Sequence, residues 1–182
     1  MVSLESARLV IRDNLECDLQ GLFELTIDPE NMRFMKSTKI DSIQEAEEHL
    51  RVAIEESKNE NRMKYYFAII NKDNEEYIGA IGYDVKEKIG KEKLVELGYF
   101  IKKEHWGKGY VTEAGKKVME YAFKKDNVVK MEASCLKENY SSEKVLIKLG
   151  MKKEGELKKH QYHEVIWKDR LLYGITKEEI SI

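Results

Sequence analysis

The chain is short of cysteine and proline and contains no long apolar run. Its only cysteines, Cys17 and Cys135, form no CxxC pair, and so low a cysteine content is typical of a cytoplasmic protein. The longest apolar run, residues 65–70, falls far below the roughly 20 residues that a membrane-spanning helix needs. No basic region followed by an apolar stretch opens the chain, which predicts that it carries no export signal.

An excess of charge of one sign is also missing. The formal net charge is -2, so there is no broad basic surface to hold nucleic acid or an anionic membrane, and neither partner is expected. Charged residues make up 36% of the chain and apolar residues 42%, enough for one core beneath a heavily solvated surface. At 182 residues the chain is expected to form a single domain, residues 1–182.

Two helices are predicted in the first third of the chain, after a short apolar strand at residues 8–12. Asn14 is expected to cap the first helix, and Asp28-Pro29 to end it, because proline cannot continue a helix. Ser42, with Glu45 three residues later, forms the sequence signature of a capping box. The apolar faces of the two helices are predicted to be Leu19, Leu22, Phe23 and Thr26, and Ile43, Ala46, Leu50, Ala53 and Ile54.

The rest of the chain alternates between strands and helices. Apolar runs separated by turn-forming residues predict strands, and an apolar stripe at helical spacing predicts a helix. Gly150 is suited to a left-handed cap at the end of the last helix. The pattern predicts a mixed α/β sheet with helices on its faces. Its predicted elements are strands at 65–70, 76–83, a buried 94–101, 128–135, 152–157 and 165–175, helices after Tyr110 and at 140–149, and a polar loop at 158–164.

A glycine-containing turn, WGKGYVT at residues 106–112, lies between the buried strand and a helix. Glycines allow a close approach of the backbone to a ligand, and the unpaired N–H groups of a helix start attract anions. The spacing matches neither a nucleotide P-loop nor a dinucleotide fingerprint, whose third glycine would fall at Thr112. A tight turn without a ligand is the alternative.

The run ELGYFI…HWGKGYVTEA, followed by NYSS and LIKLGMKKEG, resembles the GNAT superfamily of acetyltransferases, and within it the RimJ/RimL branch. The likeness extends from RLVIR through YIGAIGY to RLLYGITKEE. In the family's loop motif, Q/R-x-x-G-x-G/A, Trp106 holds the first position, Gly109 the glycine and Val111 the small residue. The resemblance implies a GNAT fold: a twisted mixed sheet of about seven strands flanked by helices, with splayed middle strands forming a coenzyme A cleft.

The resemblance also implies acetyl-coenzyme A as co-substrate. Main-chain groups of Phe100 and Ile101 would pair with the pantetheine arm, and the amides of the turn would hold the pyrophosphate. Lys108 would add a positive charge, with an ordinary solvated lysine as the alternative. The cofactor-binding residues implied in this way are Phe100, Ile101, Trp106, Gly107, Lys108, Gly109, Tyr110, Val111, Thr112 and Asn139.

Asn139 and Ser142 continue the apolar stripe of the short helix toward its start, so both are expected to face inward. An N-cap at Asn139, with Ser142 satisfying backbone groups, is one interpretation. The resemblance implies another, in which Asn139 contacts coenzyme A and Ser142 protonates or hydrogen-bonds the departing thiolate. The tyrosine that many family members carry one turn later is replaced by Leu146.

Glu96 is a carboxylate inside the predicted buried strand. An amine acceptor must lose a proton before it attacks a thioester, and a partly buried carboxyl group has a raised pKa that suits a general base. We therefore predict Glu96 as a catalytic residue. Pairing with a lysine at the sheet edge is the alternative.

The acceptor side is expected to include Met32, Phe34, His160 and Tyr162, and the whole segment 32–35, Met35 included, is expected to shape the pocket. His160 is a second candidate base, because its loop borders the acceptor side in the resembling family. No metal is predicted, since His160 and His163 stand on a hairpin loop without further ligands.

These observations predict transfer of an acetyl group from acetyl-coenzyme A to a primary amine, either a protein N-terminus or a small molecule. Direct attack in a ternary complex is expected, because no residue is placed as an obvious covalent nucleophile and Cys135 has no adjacent histidine. The alternative is a module that binds coenzyme A without turnover. The acceptor and the oligomeric state stay open, a homodimer included.

Overall fold

The computed structural model describes residues 1–34 and 39–180. The strands are β1 (Ser3–Glu5), β2 (Leu9–Asp13), β3 (Lys64–Asn71), β4 (Tyr77–Ile89), β5 (Glu92–Ile101), β6 (Val128–Leu136), β7 (Lys152–His163) and β8 (Ile166–Thr176), and the α-helices are α1 (Leu19–Ile27), α2 (Ile43–Lys58), α3 (Tyr110–Lys125) and α4 (Tyr140–Lys148). These strands form one mixed sheet of eight, in the order β1-β2-β3-β4-β5-β6-β8-β7. The predicted mixed α/β class is confirmed. The strand number is higher than the expected seven, because residues 3–5 pair with β2.

The described chain divides into two compact units. The first comprises Met1–Asp84 and Gly98–Met119, and the second comprises Val85–Leu97 and the residues from Glu120 onward. Each has a buried apolar core, including Leu9, Ile11, Leu25, Phe67, Ile69 and Ile78 in the first and Val128, Met131, Leu146, Leu171 and Ile175 in the second. A single domain stays a prediction.

The start of α1 differs from the prediction. Asn14 does not cap the helix; its Nδ2 donates to the Tyr66 carbonyl at 2.9 Å. A short 3-10 turn at Glu16–Asp18 precedes α1, and the Asp18 carboxylate accepts from the Leu15 amide at 2.7 Å. Leu25, absent from the predicted apolar face, is fully buried. The helix ends at Ile27, before Asp28-Pro29, as predicted.

The predicted start of α2 is confirmed. Ser42 Oγ accepts from the Glu45 amide at 3.2 Å. The Glu45 carboxylate accepts from the Asp41 amide instead of the Ser42 amide. Ala46, Leu50 and Ala53, on the predicted stripe, are buried.

The middle strands are longer and less deeply buried than predicted. β4 continues through residues 84–89, beyond the predicted end of this strand at residue 83. In β5, Val95 and Leu97 are buried, whereas Leu94 and Glu96 are half-buried, so the prediction of a fully buried strand is wrong. A strand with one apolar and one wetter face shows this alternation.

The parallel ladder between β5 and β6 is short. It begins with Lys93 opposite Val128 and ends with Glu96 opposite Glu132. Both strands continue beyond this last pair, β5 to Ile101 and β6 to residue 136. The structure describes both strands completely, and no ladder joins them along their full length. The expected separation of the strand ends is therefore not contradicted.

The last two strands form a hairpin in place of the predicted polar loop at 158–164. β7 continues to His163, and the chain reverses at Glu164 and Val165, whose φ angles are 48° and 63°. Positive φ at both central residues is typical of a tight type I′ turn. His160 and Tyr162 therefore lie on a strand.

Candidate active site

The glycine turn of the first unit connects β5 to α3 through a short 3-10 turn at Lys103–His105. Gly107 and Gly109 have φ angles of 73° and 80°, a region that side-chain-bearing residues rarely adopt. The first amides of a helix have no partner within the helix, so the start of α3 offers N–H groups to an anion. The indole Nε1 of Trp106 donates to the Ile101 carbonyl at 2.9 Å and fastens the turn to the end of β5.

Arg8, in the N-terminal segment, also makes contacts that fix this turn. Its Nη1 donates to the Lys108 carbonyl at 3.1 Å, and its Nε donates to Glu113 Oε2 at 2.8 Å. The guanidinium also lies 4.3 Å from the ring centre of Tyr110. Ser6 Oγ donates to the other oxygen of Glu113 at 2.7 Å.

Glu113, in the first turn of α3, is thus bound by the N-terminal segment. Burial acts to raise the pKa of Glu113, but the hydrogen bonds from the Arg8 backbone, Ser6 and the Arg8 side chain outweigh it, and the pKa is lowered. A charged carboxylate at the start of a helix is favourable. The sequence offered no signal for these contacts, which join residues about one hundred positions apart.

The other predicted residues of the first unit are less accessible. Phe100 packs against the buried cluster around Leu25 and Tyr77, so its side chain is structural, and the predicted cofactor contact concerns its main chain. Met32 is almost fully buried, and Phe34 is half-buried. Met35, predicted beside them, lies outside the described residues.

The second unit contains an open pocket of about 460 Å³. It brings together two of the predicted residues, Glu96 and His160. The other lining residues include three polar ones that were not predicted from the sequence: Ser134, Arg170 and Tyr173. No distinctive signal in the sequence marks Ser134 and Arg170, because each stands among other polar residues of its strand: Lys130 and Glu132 in β6, and Lys168 and Asp169 in β8.

A chain of polar contacts crosses five neighbouring strands of this unit. Lys86 Nζ lies 3.0 Å from Glu96 Oε2, and Ser134 Oγ donates to Glu96 Oε1 at 3.1 Å. Arg170 Nε donates to Ser134 Oγ at 2.9 Å. Arg170 Nη1 donates to Gln161 Oε1 at 2.7 Å. These side chains therefore share one face of the sheet.

The charge state of Glu96 differs from the prediction. Burial acts to raise its pKa, as expected, but the contact with Lys86, the Ser134 hydroxyl and the charge of Arg170 outweigh burial and lower it. The expectation of a raised pKa is wrong, and the lysine pairing considered as the alternative is present. With its side chain 36% exposed, Glu96 presents a negative charge to the pocket at neutral pH.

Asn139 caps α4. Its Oδ1 accepts from the Ser142 amide at 3.1 Å, so the N-cap interpretation is confirmed. The Ser142 side chain hydrogen-bonds to the thiol of Cys135. Burial raises the pKa of Cys135 to about 11, so the thiol stays protonated and is a weak nucleophile at neutral pH.

Tyr173 is a further hydroxyl of this pocket. Burial raises its pKa to about 12, so the phenol is protonated at neutral pH. Its Oη donates to Glu143 Oε1, in the first turn of α4, at 2.7 Å. Tyr162, by contrast, is 60% exposed and lies edge-on to Trp167 on the β7–β8 hairpin.

His160 and His163 do not belong to a group of possible metal ligands. Over residues 1–34 and 39–180, one such group exists, formed by Glu76, Glu104 and His105, with ligand atoms within 4.8 Å of one another. Lys102 Nζ lies 3.9 Å from the Glu76 carboxylate, so a cation is already at this group.

Among the described residues, no helix combines the length and apolarity needed to cross a membrane. The mixed sheet with its flanking helices has the fold of solved acetyltransferases. Residues 8–152 match the acetyltransferase (GNAT) domain family, and the chain belongs to this family. The predicted enzyme class, an acetyl-coenzyme A-dependent N-acetyltransferase, is thereby confirmed.

Individual relatives agree with the family. The chain is 31% identical over 176 residues to the uncharacterized N-acetyltransferase YnaD of Bacillus subtilis, with 97% of this chain and 98% of that one covered. The structure of a ribosomal-protein-S5-alanine acetyltransferase from Vibrio fischeri matches with a TM-score of 0.83 at 22% identity, covering 100% of both chains. A spermidine N-acetyltransferase from Vibrio cholerae, in complex with coenzyme A and spermine, matches with a TM-score of 0.82 at 20% identity, covering 96% of this chain and 98% of that one. Ribosomal-protein acetyltransferases are thus among the similar structures, as the RimJ/RimL resemblance predicted.

Proposed function

We propose that the protein transfers the acetyl group of acetyl-coenzyme A to a primary amine by direct attack in a ternary complex. The proposal rests on the pocket of the second unit, where the ionised carboxylate of Glu96 is accessible beside His160. An amine in neutral water arrives as an ammonium ion, which a fixed carboxylate attracts in a partly dry pocket. The acceptor is a protein N-terminus or a small-molecule amine.

The glycine turn binds the cofactor in this proposal. Amides from Gly107 to Thr112 hold the pyrophosphate, because they combine hydrogen-bond donors with the positive end of α3. Lys108, exposed on the turn, adds a charge, and Arg8 keeps the turn in place. The main chain of Phe100 and Ile101 pairs with the pantetheine arm, and Asn139 contacts the cofactor from the cap of α4.

Proton transfer completes the reaction. Acetyl-coenzyme A supplies an activated thioester, so the protein provides proximity and proton acceptors and donors. Glu96 takes up the proton of the ammonium directly or through water, and His160 is the alternative acceptor in the same pocket. The amine nitrogen forms a bond to the carbonyl carbon and loses its second proton as the carbon–sulfur bond breaks. Ser142 donates a proton to the departing sulfur and regains one from that nitrogen through water.

A covalent acetyl-cysteine route is disfavoured. Cys135 is the buried cysteine of the second unit, and its pKa of about 11 leaves almost no thiolate at neutral pH. Met32, Phe34 and Tyr162 stay predicted acceptor contacts. A cytoplasmic location and a homodimer stay predictions as well.

Coenzyme A release, measured with a thiol reagent, tests the proposal. The acceptor panel contains peptides with a free N-terminus, polyamines, aminoglycosides and amino acids. The variants are Glu96→Gln and a control, Glu92→Gln, at an exposed position of the same strand. We expect release with at least one amine class, and a kcat/KM that is lower by about 100-fold in Glu96→Gln and unchanged in the control. Tight acetyl-coenzyme A binding in calorimetry without release on any amine would indicate a binding module.

A further inference from the structure

Arg170 differs from the other cations at the pocket in its partners. Lys86 forms an ion pair with Glu96. Lys130, which does not itself line the pocket, pairs with the lining residues Glu132 and Glu154 at 3.2 and 2.8 Å. The hydrogen bonds of Arg170 go instead to two neutral oxygens, Ser134 Oγ and Gln161 Oε1. Of the carboxylates that the structure describes, none lies within the 4.0 Å ion-pair distance of this guanidinium.

Two hydrogen bonds fix the Arg170 guanidinium, which has further N–H donors. An arginine has five N–H groups, and the two neutral contacts use two of them. Contacts on Nε and Nη1 fix the plane of the group, and its remaining N–H groups include the Nη2 pair. A planar guanidinium binds carboxylate and phosphate groups through paired hydrogen bonds. The half-buried Arg170 in the pocket wall can therefore bind an anionic group of a ligand through these N–H groups.

The position of Arg170 relative to Glu96 restricts the ligand further. A single hydroxyl, that of Ser134, bridges the two charged groups at 3.1 Å from Glu96 and 2.9 Å from Arg170. The pocket therefore presents a negative and a positive group side by side. A complementary ligand carries an ammonium and an anion a few atoms apart.

We propose that Arg170 binds a carboxylate of the acceptor, and that the acceptor is an amino acid or a derivative with a carboxylate close to its amine. This inference rests on the proposed acetyl transfer at the Glu96 pocket. A polyamine carries no anion for Arg170 to bind, so we expect spermidine to be a poorer acceptor than such an amino acid.

Pairs of acceptors that differ only in the α-carboxylate test whether the enzyme recognises that group. kcat/KM is measured for L-methionine, L-phenylalanine, L-glutamate and L-lysine, each beside its own α-carboxamide, with spermidine as a polycation. The variants are Arg170→Gln, the charge-retaining Arg170→Lys and a control, Lys168→Gln, at a lysine of the same strand that pairs with Glu138 in the segment between β6 and α4. The ratio of each acid to its amide is compared between enzymes, which cancels the difference in amine basicity.

We expect the wild type to prefer the acids at least tenfold, about 1.4 kcal/mol in transition-state binding. Arg170→Gln should lose at least tenfold more kcat/KM with the acids than with the amides, Arg170→Lys should lose less, and Lys168→Gln should keep the wild-type ratio. Equal use of acids and amides by the wild type, or spermidine as the best acceptor, would overturn the inference. A KM for acetyl-coenzyme A that rises in Arg170→Gln, with an unchanged acid-to-amide ratio, would assign Arg170 to a cofactor phosphate instead.

Calorimetry separates this inference from the proposed function. N-acetyl-L-methionine and N-acetyl-L-methioninamide bind without turnover, so an enzyme that acetylates nothing still reports on the subsite. Binding of the acid that is tighter than that of the amide and is lost in Arg170→Gln would support the subsite even if acetyl transfer failed. Equal binding of both compounds to wild type would reject it even if acetyl transfer succeeded.

Discussion

Lys86 Nζ lies 3.0 Å from Glu96 Oε2, across the neighbouring strands β4 and β5. This contact, with the Ser134 hydroxyl and the Arg170 charge, keeps the pKa of Glu96 low although the side chain is partly buried. The pocket therefore holds a carboxylate that attracts an ammonium ion and is a weaker base than burial alone would produce. An amine bound there gives up its proton most readily at higher pH.

Replacement of Lys86 tests this electrostatic control. Lys86→Met removes the contact that most lowers the pKa of Glu96, so that pKa should rise. Because Glu96 acts as a carboxylate, its protonation then begins at a higher pH, and the acid limb of the kcat/KM profile should move upward. Profiles from about pH 3 to about pH 9 measure the shift, because the lowered pKa of Glu96 places the wild-type limb below the ordinary glutamate range. Lys88→Met, at an exposed position on the same strand, should leave the limb in place, and an unmoved limb in Lys86→Met would assign it to another group.

Ser142→Ala tests the proton donor. We expect kcat to fall by roughly tenfold to a thousandfold, because the hydroxyl acts mainly in the transition state. The Kd for acetyl-coenzyme A should change by less than about threefold, some 0.7 kcal/mol. The cap of α4 uses the backbone amide of Ser142, which alanine retains, so Tm should change little.

Single-turnover rates and melting curves on one preparation measure these effects. Ser141→Ala, at the exposed neighbouring position, is the control and should keep both values. A lower Tm with an intact kcat would show that Ser142 is only a helix-end residue.

Gly109→Val tests the phosphate turn. The φ angle of Gly109 is 80°, which a β-branched residue adopts only with strain, while the nearest side-chain atom to an added Cβ is Arg8 Nη2 at 3.8 Å. The obstacle is therefore backbone conformation, and the turn should change shape. We expect the Kd for acetyl-coenzyme A to rise at least about tenfold in calorimetry. Gly90→Val, with φ of 63° in the β4–β5 turn, should cost similar stability but leave this Kd unchanged.

Arg8→Ala tests the contact that holds the turn from the N-terminal segment. The substitution removes the hydrogen bond to the Lys108 carbonyl and the ion pair with Glu113. Because Arg8 is 43% exposed, we expect a moderate rise in the Kd for acetyl-coenzyme A, about threefold to tenfold, or some 0.7 to 1.4 kcal/mol. Arg51→Ala removes an exposed arginine with two ion pairs on α2 and should leave this Kd unchanged. An equal effect of both substitutions would exclude a specific role for Arg8.

The sequence by itself determined the features that depend on near neighbours. Ser42 and Gly150 mark helix ends because capping involves residues within one turn, and both were predicted correctly. The turn at residues 106–112 was found because two glycines before a helix form a local pattern. The buried stripe of α3, including Val111 and Ala114, follows from helical periodicity alone.

Only the tertiary structure decided the chemistry of the pocket. Lys86, Glu96, Ser134 and Arg170 come from different strands, and strand register, which a sequence pattern leaves open, brings them into hydrogen-bonding distance. The pKa of Glu96 is lowered because those cations and the hydroxyl outweigh burial, a balance set by interatomic distances of about 3 Å. Arg8 reaches the turn for the same reason, since its partners lie about one hundred residues further along the chain.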